Sequence, residues 1–213
     1  MAAGVSRARG MSVYAVHPSI AMVQNCIARL PEKTGRSLEE WLRLVKTSGP
    51  AGQAERQAWL KREHKFGTNE AAWIAARASG TKDEFADPEQ YLRAAARYVE
   101  AQYAGPKEAL RPLYDRLLKL GLSAGKDAKA CPCQTIVPIY RKHVIAQIKP
   151  TTNTRIDLGL ALGKLKKKAP KRLLDTGGAA KGDRITHRIA ITQASEIDAE
   201  VKRWLAIAYE LDV

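Results

Sequence analysis

Ile156-Asp157-Leu158-Gly159-Leu160-Ala161-Leu162 sets a large branched apolar side chain at every second position, and this period of two decides how the second half of the chain folds. Alternate residues of an extended chain point to opposite faces, so the stretch predicts a strand buried on one side. The same alternation returns in Val144, Ala146 and Ile148, and in Ile185, His187, Ile189 and Ile191 with Thr186, Arg188 and Ala190 between them. Gln134 to Tyr140 is a fourth strand candidate; Pro138 lacks an amide hydrogen, which assigns that strand to an edge. A sheet with one apolar face must bury it. Leu110, Leu113, Tyr114 and Leu117 before the strands, and Ile197, Val201, Trp204, Leu205 and Ala208 after them, carry the helical spacing that can do so, the last helix being capped by Ser195. Residues 105–213 are thus expected to form an α+β module of helix, antiparallel four-stranded sheet and helix.

The first half has a period of 3.6 instead. Ser37 and Glu40 have the spacing of a capping box, and Leu38, Trp41, Leu42 and Val45 follow as one helical stripe. An earlier helix is expected from Pro18 to about Leu30, broken by Pro31 and Gly35, with further helices around Trp59 and around Ala71–Ala78. Residues 11–80 therefore read as a small helical bundle with Trp41, Trp59 and Trp73 at its core. Residues 81–104 read as a connecting helix with Leu92, Ala95, Ala96 and Val99 on one face. Residues 1–10 read as a tail or a misassigned start, since Met11 opens the globular pattern.

Charge separates the halves. Residues 126–188 hold fifteen lysines and arginines against four aspartates, a surplus of +11 out of +14 for all 213 residues. Such a field attracts polyanions, nucleic-acid phosphate above all. Its densest part is a loop over residues 164–184, where Lys164, Lys166, Lys167, Lys168, Lys171, Arg172, Lys181 and Arg184 are the candidate polyanion contacts. That run holds no aromatic residue, which argues against a stacking platform for single strands. An apolar run of membrane-spanning or signal-peptide length is missing, so no membrane partner is expected. Three cysteines, an odd number, fit a reducing cytoplasm rather than a secreted disulfide framework.

Catalytic and metal motifs are weak. Cys131, Cys133, His143 and His187 include only one close-spaced pair, and strand parity points the two imidazoles apart, so no metal is assigned. Asp127-Ala128-Lys129 and Glu200-Val201-Lys202 match a nuclease triplet but not on strands. Gly177-Gly178-Ala179-Ala180-Lys181-Gly182-Asp183 has the composition of a phosphate loop without its spacing, and there is no Gly-x-Ser-x-Gly elbow. Glu196, Asp198 and Glu200 are too few for the acidic ridge of a metal chaperone.

Two resemblances cover most of residues 18–211. Lys33-Thr34-Gly35-Arg36-Ser37-Leu38-Glu39-Glu40-Trp41, followed by Trp59-Leu60-Lys61-Arg62-Glu63-His64, resembles the bacterial family called domain of unknown function 4287. Where that family often has Gly-His-Gly-His before an alanine, this chain reads Gly67-Thr68-Asn69-Glu70-Ala71. Ile139-Tyr140-Arg141, Ile148-Lys149-Pro150, Ile185-Thr186-His187-Arg188-Ile189 and Trp204-Leu205-Ala206-Ile207-Ala208-Tyr209 resemble a second family, domain of unknown function 5655. Neither resemblance implies a reaction. The expectation is a non-catalytic cytoplasmic protein, without cofactor, that binds nucleic acid or another polyanion through its C-terminal domain and a protein partner through its N-terminal one. The alternative is a small-ligand or metal-handling module with a pocket between sheet and last helix, lined by Tyr140, His187 and Trp204.

Overall fold

A computed structural model describes residues 12–80, 87–165 and 170–213. The chain divides into two compact units: one is His17–Tyr91, and the other joins Leu92–Val213 to the segment ending at Val16.

The first unit is helical: α1 (Pro18–Thr34), α2 (Leu38–Ser48), α3 (Gln53–His64), α4 (Thr68–Ala78) and the start of α5 (Pro88–Gln102). The motif from Lys33 to Trp41 is used up in making the corner between α1 and α2. Gly35 ends α1 in the left-handed region at φ 72°, where a side chain would be strained, and its N–H donates to Pro31 O. Thr34 Oγ1 accepts the indole N–H of Trp41 at 2.7 Å. The Ser37/Glu40 capping box forms as the spacing predicts. Arg36 lies over the Trp41 ring, 5.2 Å from its centre. Lys33 reaches Glu70 at 2.6 Å, so the segment without the family's histidines carries an ion pair instead. Trp41 is buried with Leu30, Val45, Leu60, Phe66 and Ile74, whereas Trp59 and Trp73 only pack partly against that core. The helix expected to stop near Leu30 runs on to Thr34 with Pro31 inside it; a proline in the last turn forfeits one backbone bond and no more.

The second unit is an α+β layer. Its sheet has six strands, not the four expected: β1 (Lys129–Ala130), β2 (Val137–Tyr140), β3 (Val144–Pro150), β4 (Ile156–Leu160), β5 (Leu174–Asp175) and β6 (His187–Ile191). They lie in the order β1-β2-β3-β4-β6-β5, every neighbour antiparallel. Register puts Val137 opposite Ile148, Ile148 opposite Leu158 and Leu158 opposite Ile189, so one face is continuously apolar. That face shares a core with Leu113 and Leu117 of α6 (Arg111–Leu122) and with Val201, Leu205 and Ala208 of α8 (Ala199–Glu210). Val99 and Tyr103 from the end of α5 join the same core. The last helix is capped by Asp198 rather than Ser195, which sits in a preceding 3-10 turn (Ala194–Glu196).

Pro138 does not mark an edge. The strand holding it is flanked on both sides, and the missing amide hydrogen is absorbed locally. Cys131 N–H donates to Pro138 O at 3.0 Å, while the Cys133 thiol lies 3.8 Å from the Cys131 carbonyl that proline leaves without its ladder donor. Cys133 N–H closes the turn onto Ile136 O, and Gln102 donates to Cys133 O at 2.8 Å. Cys131-Pro132-Cys133 is therefore a hairpin element.

Candidate polyanion-binding site

The basic residues of the second unit fall into two groups by residue type. All five arginines between positions 126 and 188 are spent on the fold. Arg141 donates to Tyr209 O and Asp212 O at 3.0 Å each and lies over the Tyr209 ring at 4.4 Å, while the Tyr209 hydroxyl donates to Asp127. Arg155 and Arg188 both reach Asp157 at 3.0 Å. Arg172 ties the end of the basic loop to the start of α8: it reaches Asp198 at 2.7 Å and Glu200 at 3.6 Å, and donates to Glu196 O. Arg184 donates to Val144 O at 2.9 Å and to the Asp212 carboxylate. The lysines do the opposite. Lys126, Lys129, Lys142, Lys149, Lys164, Lys171 and Lys181 are exposed, and no side-chain partner is found for them among the described residues.

Of the eight sequence-predicted contacts, then, Lys164, Lys171 and Lys181 face solvent, Arg172 and Arg184 are held in ion pairs, and Lys166, Lys167 and Lys168 lie outside the described residues. Lys181 ends the single turn α7 (Gly178–Lys181), and Gly182 follows at φ 75°. Lys164 comes directly after Gly163, which turns the chain away from the sheet at φ 61°.

Asp212 is the residue that sequence reading missed. Only 3% exposed, it accepts the His143 backbone N–H at 2.8 Å, faces the His143 Nδ1 at 2.9 Å and receives Arg184. Burial raises its carboxyl pKa, but the His143 bonds and the Arg184 charge outweigh that and hold it below the ordinary aspartate range. Nothing in hydropathy spacing singles out an aspartate that follows an exposed leucine.

An open pocket of about 620 Å³ lies beside this cluster, where the end of the sheet meets the last turn of α8. Lys164, Arg184 and Asp212 line it with Leu162, Ala208 and Leu211. The residues expected to line such a pocket are elsewhere. His187 is 5% exposed on the core face of β6, with Nδ1 2.9 Å from Thr186 Oγ1. Trp204 is half-buried and its indole N–H lies 3.4 Å from Glu200, and Tyr140 is half-buried at the end of β2.

The two imidazoles do point apart, as parity predicts: the His143 side chain is 61% exposed. Among the described residues no three histidine, cysteine or acidic side chains could hold one metal ion. Burial pushes the Cys131 thiol up to about 12 and raises Cys133 as well, which favours the thiol over the thiolate. Among the described residues no helix is long and apolar enough to cross a membrane.

Comparison with known proteins agrees with this two-part architecture. Residues 22–80, inside the helical unit, match the family described as domain of unknown function DUF4287. No curated protein and no solved structure matches the chain. The α+β unit, from the end of α5 to Asp212, accounts for the longer match: through residues 99–212 the chain belongs to the family described as domain of unknown function DUF5655.

Proposed function

We propose that the protein is a non-catalytic cytoplasmic polyanion-binding protein, with nucleic acid as the polyanion. The observation that carries this reading is the division of labour among the cations of residues 126–188: the arginines are bonded into the fold, and the described lysines stand free on it. Lysine is a compact point charge on a flexible stem, whereas bidentate base reading uses arginine's planar fork. Free lysines with committed arginines favour phosphate contact without sequence preference. Lys164, Lys171 and Lys181 are the described contacts, with Lys166, Lys167 and Lys168 between the first two in sequence. The N-terminal unit, whose motif residues are spent on its own corner, would present a surface to a protein partner.

Affinity for duplex DNA or RNA, followed by fluorescence anisotropy across a salt series, should fall with a log-log slope of about −4 to −6, corresponding to about five to seven phosphates. Substituting Lys164, Lys166, Lys167, Lys168, Lys171 and Lys181 by Gln should weaken binding severalfold without unfolding the chain. Salt-independent binding, or no binding at low salt, overturns the proposal. A second reading, a small anionic ligand, is favoured by the pocket holding Lys164 and Arg184; it requires saturable binding of a small phosphate compound that survives high salt.

A further inference from the structure

The charge surplus counted along the sequence ends at Arg188, but the fold gathers further cations from outside that run. Arg116 and Lys119 stand three residues apart on α6 and share a face. Lys202 stands in the first turns of α8. Together with Leu120, Ser123 and Ile197 they line one open groove of about 520 Å³ between the two helices. All three cations are exposed, and no partner is found for them among the described residues. The carboxylate on this groove, Asp198, is already occupied: it caps Val201 N–H at 3.1 Å and is met by Arg172 at 2.7 Å.

A solvated helix face that serves only solubility mixes its signs, and α6 does so at its other end, where Arg111 reaches Asp115 at 3.1 Å and Glu100 at 2.9 Å. On the groove, Asp198 is taken up by Arg172 and the helix cap, which leaves three cations unmatched. Three like charges around one concavity repel one another, and the start of α8 adds its own positive potential. A bound anion would relieve both.

The two described ends of the basic loop also meet α8. Lys164 lines a pocket with Ala208 and Leu211 at the end of α8, and Arg172 is bonded to Asp198 at its beginning. The two described ends of the loop thus sit at opposite ends of a 12-residue helix. Its length is about 18 Å, close to the axial rise of about five phosphates on one strand of duplex DNA.

We propose that the α6–α8 groove is a second phosphate subsite, and that a nucleic-acid backbone runs along α8 from Lys164 to Arg116, Lys119 and Lys202. This rests on the polyanion-binding reading of the unit and names the surface it uses.

The test compares three full-length proteins on a random-sequence 24-base-pair duplex: the parent, the groove variant Arg116→Gln/Lys119→Gln/Lys202→Gln, and a control of equal charge change, Arg43→Gln/Lys46→Gln/Lys61→Gln, made at exposed positions of the helical unit. The groove variant should reduce the salt slope by about 2–3 and weaken binding about tenfold or more near 0.1 M salt. The control should change affinity less than twofold. Equal losses in the groove and control variants overturn the subsite while leaving the polyanion reading intact, as does an unchanged groove variant. A parent that binds no duplex at low salt overturns both. A groove variant that loses affinity for a glutamate-rich peptide but not for the duplex assigns the groove to an acidic protein and overturns the nucleic-acid assignment.

Discussion

Asp212→Ala measures what the C-terminal clamp contributes. The carboxylate is the acceptor for the His143 backbone N–H at 2.8 Å, faces its imidazole and neutralises Arg184. Without it the His143 N–H loses its acceptor, which costs about 1–3 kcal/mol. Arg184 is 46% exposed in its side chain, so solvent screens it and its share is about 1 kcal/mol or less. The sum is about 1–4 kcal/mol, which lowers the melting temperature of a unit this size by about 3–15 °C. Calorimetry that resolves the transition of the α+β unit reads the effect directly. Its pH dependence has a definite sign. A carboxyl whose folded pKa is depressed stabilises fully above the unfolded aspartate value of about 3.9, and that contribution disappears as pH falls through the lower folded value. The gap between parent and variant should therefore be constant from pH 7 to about 5 and close as pH drops below about 4. A shift under about 2 °C at pH 7, or a gap that does not narrow in acid, refutes the clamp.

Two further substitutions test local packing and backbone. A Cβ at Gly159 would meet Ile185 Cγ2 at 2.7 Å and Gln147 Cγ at 2.8 Å, so Gly159→Ala should cost about 1–3 kcal/mol by chemical denaturation, and an unchanged midpoint would show that these two side chains can move aside. Lys65 ends α3 at φ 57°, a left-handed conformation, and Lys65→Gly should stabilise the helical unit by about 1 kcal/mol; a lower denaturation midpoint would contradict the strain argument.

Periodicity found three of the four longer strands and the helices on either side of the sheet, because each repeats a local rule several times over. It could not find β1 or β5, since two residues contain no period. Pro138 misled for a related reason: the rule against proline inside a sheet assumes that nothing else supplies the missing donor, and here the Cys133 thiol stands by the orphaned carbonyl. The candidate site was legible as composition but not as geometry. Lys164, Arg172 and Arg184 look alike in a charge count, and only the fold shows that two of them are bonded to Asp198 and Asp212. Lys202 lies more than eighty positions beyond Arg116 and Lys119, so no window along the sequence could join them. Alternation placed His187 on the inward face of its strand, and a side chain there on a packed sheet is covered by its neighbours.

The brevity of β1 and β5 has its own effect on how the molecule behaves in a crowd. They are the outermost strands of the sheet, and an outermost strand offers unsatisfied amides and carbonyls to any passing chain. Here each margin is two residues long, and on the β1 side Ala15 N–H already occupies the Ala130 carbonyl at 2.9 Å. A neighbouring molecule finds too short a template to extend the sheet. Copies crowded side by side can therefore sit close together without zipping into fibres.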